Sequence, residues 1–524
     1  MPPSAHLTQN WDVRKPGAVS KGGIVVSQSR TAAGVGTDIL AAGGTAVDAA
    51  VAAALALAAV EPWNSGLGAV GFLVVHRADA DRAEAVDFGP VAPSRLDPAA
   101  FPLTGATKTE LFTWPQVEGD RNVHGPLSFA IPSAVRGYAA AVERFGRMPW
   151  RELAAPAAAL ARQGLPVDWF TTIKVAAAAP ELRLYDESRR IWLCDGLPPV
   201  AVLDQDDSSL PLGRLADTLD RLAAAGPDDF YRGDIARAIA ADLGAANAAL
   251  SADDFASCRA RVMPALTVPY RGAVLQAAPG MTAGPTLAFA VERLARQRFA
   301  AAPDAAYFAA QIAALREAYA DRLEHAGDAA TGAATSTSHI TAIDREGTIA
   351  ALTTTLLSSF GSRYVLPGTG ILMNNGLMWF DPRPGRPNSI GPGKRALTNM
   401  CPLLAMRDGR PWFGVGASGG RRILAAVLQM AGFIIDFGMD PVSAAHHARI
   451  DVSGGERFSI DRRLPPAIIE PLLALPGATM VEHGVFPARF ACPNLVLRDA
   501  DGTSHGISDV MSPWSAAVAE PERT

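Results

Sequence analysis

Thr337 and Thr355 are the residues whose type and spacing first suggest chemistry. His339 to Asp344 and Thr348 to Leu357 read as two β-strands, joined through Arg345-Glu346-Gly347. If that turn centres on Glu346, residues equidistant from it pair. Thr337 then faces Thr355 across the ladder, with Cβ atoms roughly 5 Å apart. A hydroxyl at the exposed start of one strand meets a hydroxyl inside the next. A threonine hydroxyl is a weak nucleophile at neutral pH and needs a base. Threonine pairs are also common in strands for packing reasons alone, and the bare pattern favours that plainer reading.

Other reactive residue types carry less. His339 lies two residues beyond Thr337 and points to the same face of the strand, where a hydrogen-bonded structural histidine is expected. His446 and His447 are adjacent in a helical stretch, so they do not face one another and do not suggest a shared metal site. Cys194, Cys258, Cys401 and Cys492 are far apart, with no CxxC pair. That spacing suits buried thiols rather than a disulfide framework or a zinc site. Gly419-Gly420, seen alone, is a turn. Gly66 to Gly71 lacks the spacing and the lysine of nucleotide-binding loops. No metal and no organic cofactor is implied.

The elements that must position these residues are legible in outline. Gly23 to Ser27 reads as a buried strand, followed by Ala-rich helices over 30–42 and 46–60. Gly43-Gly44 separates them, and Asp48 sits in the first turn of the second. A strand is expected over 72–76, then a polar, loop-rich stretch over 90–125. Helices follow over 136–145 and 150–163, then alternating helices and short strands over 215–300. A helical stripe of Phe308, Ile312, Leu315 and Tyr319 marks 307–323. The Gly, Ala, Thr and Ser run over 327–336 has no apolar period and reads as a mobile loop. Arg422 to Asp436 reads as a helix. Strands set between long helices suggest an α/β chain of stacked sheets flanked by helices, a four-layer αββα arrangement.

Composition sets the outer bounds. The chain has 524 residues, 49% apolar and 19% charged, with a net charge of -5. That balance gives no electrostatic reason to expect nucleic acid or an anionic membrane as partner. The N-terminus lacks a positive region followed by an apolar run. Val47 to Val60 is too short to span a bilayer. A cytoplasmic enzyme is the expectation.

The wording of the hairpin adds a resemblance. Thr337-Ser338-His339-Ile340-Thr341-Ala342-Ile343-Asp344 resembles the start of the small subunit of γ-glutamyltransferases. The likeness continues through Thr353-Thr354-Thr355, Ser359-Phe360-Gly361 and Gly368 to Asn375. It resumes at Pro392 to Arg395, Met400-Cys401-Pro402 and Ser418-Gly419-Gly420. Upstream, Gly43 to Ala50, Glu61-Pro62 with Ser65-Gly66, Arg144-Phe145-Gly146 and Phe230 to Gly233 are similar to family blocks in the same order. The match spans roughly residues 22 to 510.

The resemblance implies an N-terminal-nucleophile hydrolase with the αββα fold of that type. It implies self-cleavage between Ser336 and Thr337, giving a large subunit of residues 1–336 and a small one of 337–524 that share one core. Thr337 would be the nucleophile and its freed α-amine the base, since such an amine has an ordinary pKa of about 7.7–8.0. Thr355 would hydrogen-bond the Thr337 hydroxyl. The N–H groups of Gly419 and Gly420 would form the oxyanion hole.

The chain departs from the family where substrate is clamped. The family holds the glutamyl carboxylate with an Arg in an Asp-Phe-Arg-Glu-like segment; here Gly89 stands in its place. Gly376 and Trp379 occupy the positions expected to be polar for the α-amino group. Leu357 replaces an Asn two residues after the second threonine. Thr398-Asn399 replaces the usual Ser-Ser. Arg363, Arg421 and Arg422 remain as cations able to meet a carboxylate placed differently. The expected activity is therefore hydrolysis of a small amide other than γ-glutamyl. An oxamate-like amide is one option, and a larger acyl group, as in cephalosporin acylases, is another. An ordinary γ-glutamyltransferase or glutathione hydrolase is the alternative, and a catalytically silent binding protein is a third reading.

Overall fold

The strands Ser336–Ile343 and Ile349–Leu357 lie third and fourth in a seven-stranded antiparallel sheet. The sequence order across that sheet is Ala516–Ala519, Ile24–Ser27, the two hairpin strands, Val70–His76, Glu84–Phe88 and Arg261–Pro264. The computed structural model describes residues 13–107, 114–201, 208–325, 336–486 and 488–521. The loop expected over 327–336 falls almost wholly outside them, as does the reading of the first twelve residues.

A second seven-stranded antiparallel sheet stacks on the first. It runs Ala18–Ser20, Ser504–Ser508, Cys492–Arg498, Arg410–Ser418, Leu403–Arg407, Ala273–Ala277 and Leu266–Tyr270. Three apolar clusters follow from this stacking. One lies between the sheets and includes Ile24, Val26, Phe72, Ile349 and Val496. The other two lie between each sheet and its own outer helices. The architecture is thus the four-layer αββα sandwich expected from the sequence. Among the described residues, no helix is long and apolar enough to cross a membrane.

The helix Ala46–Val60 shows why these residues take this form. Alanine has the best helix propensity and loses no side-chain entropy. Its first turn carries a capping box, with the Thr45 hydroxyl facing the Asp48 N–H and the Asp48 carboxylate accepting from the Thr45 N–H. All fifteen residues are buried. The small side chains let the helix Arg30–Ala41 and the hairpin strands approach on different sides. Most element boundaries lie within two residues of the sequence reading, as in Trp150–Gln163 and Arg422–Ile435. The loop-rich stretch over 90–125 contains two short paired strands, Leu103–Thr107 and Pro115–Val117. Of the cysteines, Cys258 and Cys401 are buried as expected, whereas Cys194 is exposed and Cys492 half-buried.

His339 couples the two sheets. Its ring lies fully buried between the hydroxyls of Thr353, at 2.8 Å from Nδ1, and Thr341, at 2.9 Å from Nε2. Its carbonyl accepts from Asn494 Nδ2 of the facing sheet. Gly416, also of that sheet, lies over the ring: a Cβ built there would sit 2.5 Å from both ring nitrogens. Burial pushes the imidazole down to about 3, so it is neutral.

Two outcomes follow. Gly416→Ala forces the ring off its threonines and lowers stability by about 1–3 kcal/mol; urea unfolding shows a lower midpoint at unchanged slope. The pH dependence has a definite sign. A histidine depressed in the folded state contributes stability that is full above its ordinary value of 6.5 and lost as pH falls toward 3. Unfolding free energy measured from pH 7 down to 4 falls less steeply in His339→Gln, by about 1.4 kcal/mol per pH unit, the slope of one proton.

Candidate active site

The turn of the hairpin is built by Asp344. Its Oδ1 accepts from Gly347 N at 3.0 Å and Thr348 N at 2.9 Å, and its Oδ2 accepts from Ala46 N at 3.0 Å. Gly347 has φ 96°, which glycine adopts without a Cβ penalty. The register is symmetric about Glu346, with Ser338 opposite Thr354 and His339 opposite Thr353. Between Ser336 and Ser338 the ladder shifts by one residue, so Ser336 pairs with Leu357. Thr337 sits at this irregularity. Its hydroxyl lies 3.2 Å from that of Thr355 and both residues are buried. The two threonines meet as the pairing arithmetic anticipates; the ladder shift beside them was not anticipated.

Thr355 Oγ1 also accepts from Leu357 N at 2.8 Å. Leu357 itself has φ 83°, a region a bulky side chain seldom occupies. Backbone strain of this kind is held only by surrounding packing, and it clusters at functional sites.

The facing sheet brings the glycines. Strand Arg410–Ser418 ends at Gly419 and Gly420, with φ 136° and 61°, and helix Arg422–Ile435 begins two residues later. A Cβ on Gly419 would lie 2.8 Å from the Ala491 Cα, so this bend requires glycine on two counts. Gly419 and Thr337 line one cavity of about 320 Å³. Phe170, Val485, Phe486 and Phe490 make its apolar wall, and Glu61, Lys174, Arg422 and Asp509 supply its charges, Asp509 being paired with Arg449. Arg422 Nη1 donates to Ala488 O at 2.9 Å, closing one side.

Glu61 and Lys174 are functional candidates that sequence reasoning did not single out. Glu61 is the C-cap of the Ala46–Val60 helix. Its carboxylate accepts from Ser338 Oγ at 2.6 Å and from Asn64 Nδ2 at 2.7 Å. Burial raises the carboxyl to about 7, outweighing the hydrogen bonds and the nearby Lys174 cation that favour ionisation. Burial conversely lowers Lys174. One signal was available: an acid at the end of a fifteen-residue apolar helix faces the wrong end of the helix dipole and has no water.

The remaining predicted residues lie elsewhere than on this cavity. Leu357 and Trp379 belong to the apolar cluster between the sheets. Gly376 opens a short 3-10 turn, Gly376–Trp379, stitched to Ala130 through Asn374 Oδ1. A Cβ on Gly376 would collide with that of Ala130, and one on Gly89 would collide with the Phe72 ring. The neighbour of Gly89, Asp87, is paired with Arg261 and Arg395. Thr398 Oγ1 donates to Met281 O at 3.0 Å. Arg363 donates to Ser358 Oγ and Gly361 O within its own loop. Arg421 is buried with its guanidinium 5.6 Å from the centre of the Tyr319 ring. None of its nitrogens has a hydrogen-bond partner among the described residues, and the Asn399 side-chain oxygen is likewise unmatched. His446 and His447 bond different partners, Lys15 and Val442 for the first and Ala448 for the second.

Comparison with known proteins bears on this geometry. The sequence profile of the family described as Gamma-glutamyltranspeptidase matches residues 32–336 and 327–519. The glutathione hydrolase proenzyme of Escherichia coli strain K12 is 30% identical over 494 residues, 82% of this chain and 81% of that one. The acylase ACY 1 proenzyme of Pseudomonas sp. strain SE83 is 30% identical over 533 residues, 94% of this chain and 93% of its own. Among solved structures, the cephalosporin acylase from Bacillus halodurans shares the fold with a TM-score of 0.85. That match is at 22% identity and covers 98% of this chain and 99% of the other.

Proposed function

Because the chain belongs to the gamma-glutamyltranspeptidase family of N-terminal-nucleophile hydrolases, we propose that it is a self-cleaving amide acylase whose nucleophile is Thr337. The observation that carries this reading is the 3.2 Å contact of the Thr337 and Thr355 hydroxyls, set on the same cavity as the Gly419 bend. Cleavage of the Ser336–Thr337 bond gives subunits of 1–336 and 337–524 and frees an α-amine on the nucleophile's own residue. The two family matches meet at 327–336, immediately before that bond.

In the mature enzyme the α-amine takes the Thr337 hydroxyl proton as the oxygen attacks the amide carbon. Thr355 orients that oxygen. The N–H groups of Gly419 and Gly420 receive the developing oxyanion, where loss of one donor costs about 3–4 kcal/mol of barrier. The protonated amine then gives its proton to the departing amine. An acyl-Thr337 ester remains, and water hydrolyses it by the same steps in reverse.

The acyl group differs from γ-glutamyl in this reading. The positions at which the family holds the glutamyl carboxylate and amino groups are Gly89 and Gly376, each closed by an apolar neighbour. An aromatic-walled cavity of about 320 Å³ exceeds what an oxamate-like acyl group requires and suits a larger, mainly apolar one. The acylase relatives support the same direction. Arg422, which lines the cavity, is the arginine best placed to receive a carboxylate, whereas Arg421 lies off it. Leu357, Trp379, Thr398, Asn399 and Arg363 lie off this cavity and make no direct contact with the acyl group in this reading.

Intact mass and N-terminal sequencing test the first step. The wild type yields a fragment beginning Thr-Ser-His, and Thr337→Ala stays whole. A wild type that stays whole on prolonged incubation moves the reading to a silent binding protein. Thr355→Ala cleaves and turns over roughly tenfold to a hundredfold more slowly, the effect of losing one strong hydrogen bond, and Thr355→Ser recovers most of it. A chromogenic amide panel tests the acyl group: medium-chain and aromatic acyl anilides exceed γ-glutamyl-p-nitroanilide in kcat/KM. The opposite order identifies an ordinary γ-glutamyltransferase.

A further inference from the structure

Glu61 is a buried ionisable group on the cavity for which the reaction steps give no task. It is expensive where it stands, at the negative end of a helix and out of water. Its contacts reach both threonines indirectly. Oε2 accepts from the hydroxyl of Ser338, the residue after Thr337. Oε1 accepts from Asn64 Nδ2, and the Asn64 carbonyl accepts from the N–H of Leu356, the residue after Thr355, at 2.9 Å. One carboxylate therefore ties the two strand positions next to the reacting pair to a single loop.

The cut gives this tie its importance. In the uncut chain, Ser336 pairs with Leu357 and anchors the start of the strand. Cleavage after Ser336 severs that anchor, and a strand that begins at its own free end frays unless something holds it. The ladder is already irregular there. The next regular rung is Ser338 with Thr354, and Ser338 is the residue that Glu61 grips. Glu61 and Asn64 lie in the 1–336 part, and Ser338 and Leu356 in the 337–524 part, so the tie crosses between subunits.

We propose that Glu61 is a positioning residue that keeps Thr337 in register with Thr355 after the chain is cut, acting through Ser338 and Asn64. The inference rests on the reading of Thr337 as the cleaved nucleophile. Ionised, the carboxylate matches two donors with two acceptors; protonated, one oxygen turns donor against a donor. Among the described residues, Lys174 of the helix Trp169–Leu182, Cys492 of the facing sheet and the Arg422 head near Lys174 are charged or titratable groups near it, and Asp509 and His483 line the same cavity. Lys174 is the one whose charge favours the ionised form.

The test compares Ser338→Ala, Ser338→Thr, Glu61→Gln and Thr337→Ala in the full chain, each checked for folding by near-UV circular dichroism. Ser338→Ala still cleaves, but its kcat falls about tenfold with KM within about twofold, as expected for loss of one hydrogen bond to a charged acceptor. Ser338→Thr, which keeps the hydroxyl, recovers the rate. Glu61→Gln, which keeps a carbonyl for Ser338, loses less than Ser338→Ala. Hydrogen exchange at residues 338–341 gives a readout independent of activity. Protection drops in cut Ser338→Ala and persists in the uncut double variant Thr337→Ala/Ser338→Ala. Wild-type kcat and protection in cut Ser338→Ala overturn the inference, as does a folded Ser338→Ala chain that never cleaves. A Thr337→Ala chain that still cleaves overturns the underlying reading instead.

Discussion

The antiparallel register of the central hairpin is the constraint on which the rest depends. Side chains alternate along a strand, so Thr337, His339 and Thr341 look toward the second sheet while Ser338, Ile340 and Ala342 look toward the buried helix. A slip of one residue would turn the threonine hydroxyls into a layer of alanines and bring isoleucine between the sheets. Several independent contacts oppose that slip. Asp344 fixes the turn to the start of the helix Ala46–Val60, and His339 is held by two threonines with Gly416 leaving room for its ring. The hydroxyl pair is a local feature, but its geometry is set by contacts distributed over the length of both strands.

Division of labour between the sheets explains why the site lies where it does. One sheet supplies the hydroxyl pair and the other supplies the glycine bend, so their stacking distance sets the gap between them. The cavity opens at one end of the sandwich, where Arg410–Ser418 stops and its helix begins. Charged groups are few there and mostly buried. Each carries a desolvation cost that only specific contacts offset, which is why Glu61 holds two donors while Lys174 lies beside it. Arg421, next to the glycine bend but off the cavity, differs, with three nitrogens unmatched among the described residues.

Much of this was legible in the linear order of residues. Strand period, helical stripes and caps located the elements, and symmetry about Glu346 located the threonine pair, because those rules act over short range. The ladder shift at Thr337 was not legible, and neither was the φ of 83° at its partner strand's end, Leu357, which packs among residues distant in sequence. Glu61 was quoted only as part of a family block. Its relation to Ser338 spans 277 residues and becomes visible only when the helix end is set against the strand. Lys174 had no pattern of its own, because a lysine in an Ala-rich helix ordinarily reads as a solvated face. The fates of Gly89 and Gly376 were half legible: the missing side chains were plain, but not what fills their places.

Those places bear on which substitutions the fold can accept. Phe72 occupies the space a side chain at Gly89 would need, and Ala130 does the same for Gly376. A side chain added at either glycine alone therefore produces a steric clash. Placing polar groups at both requires coordinated change at Gly89, Phe72, Gly376 and Ala130, with overpacked intermediates between. The packing acts as a lock: neither position can gain a side chain while its neighbour stays as it is.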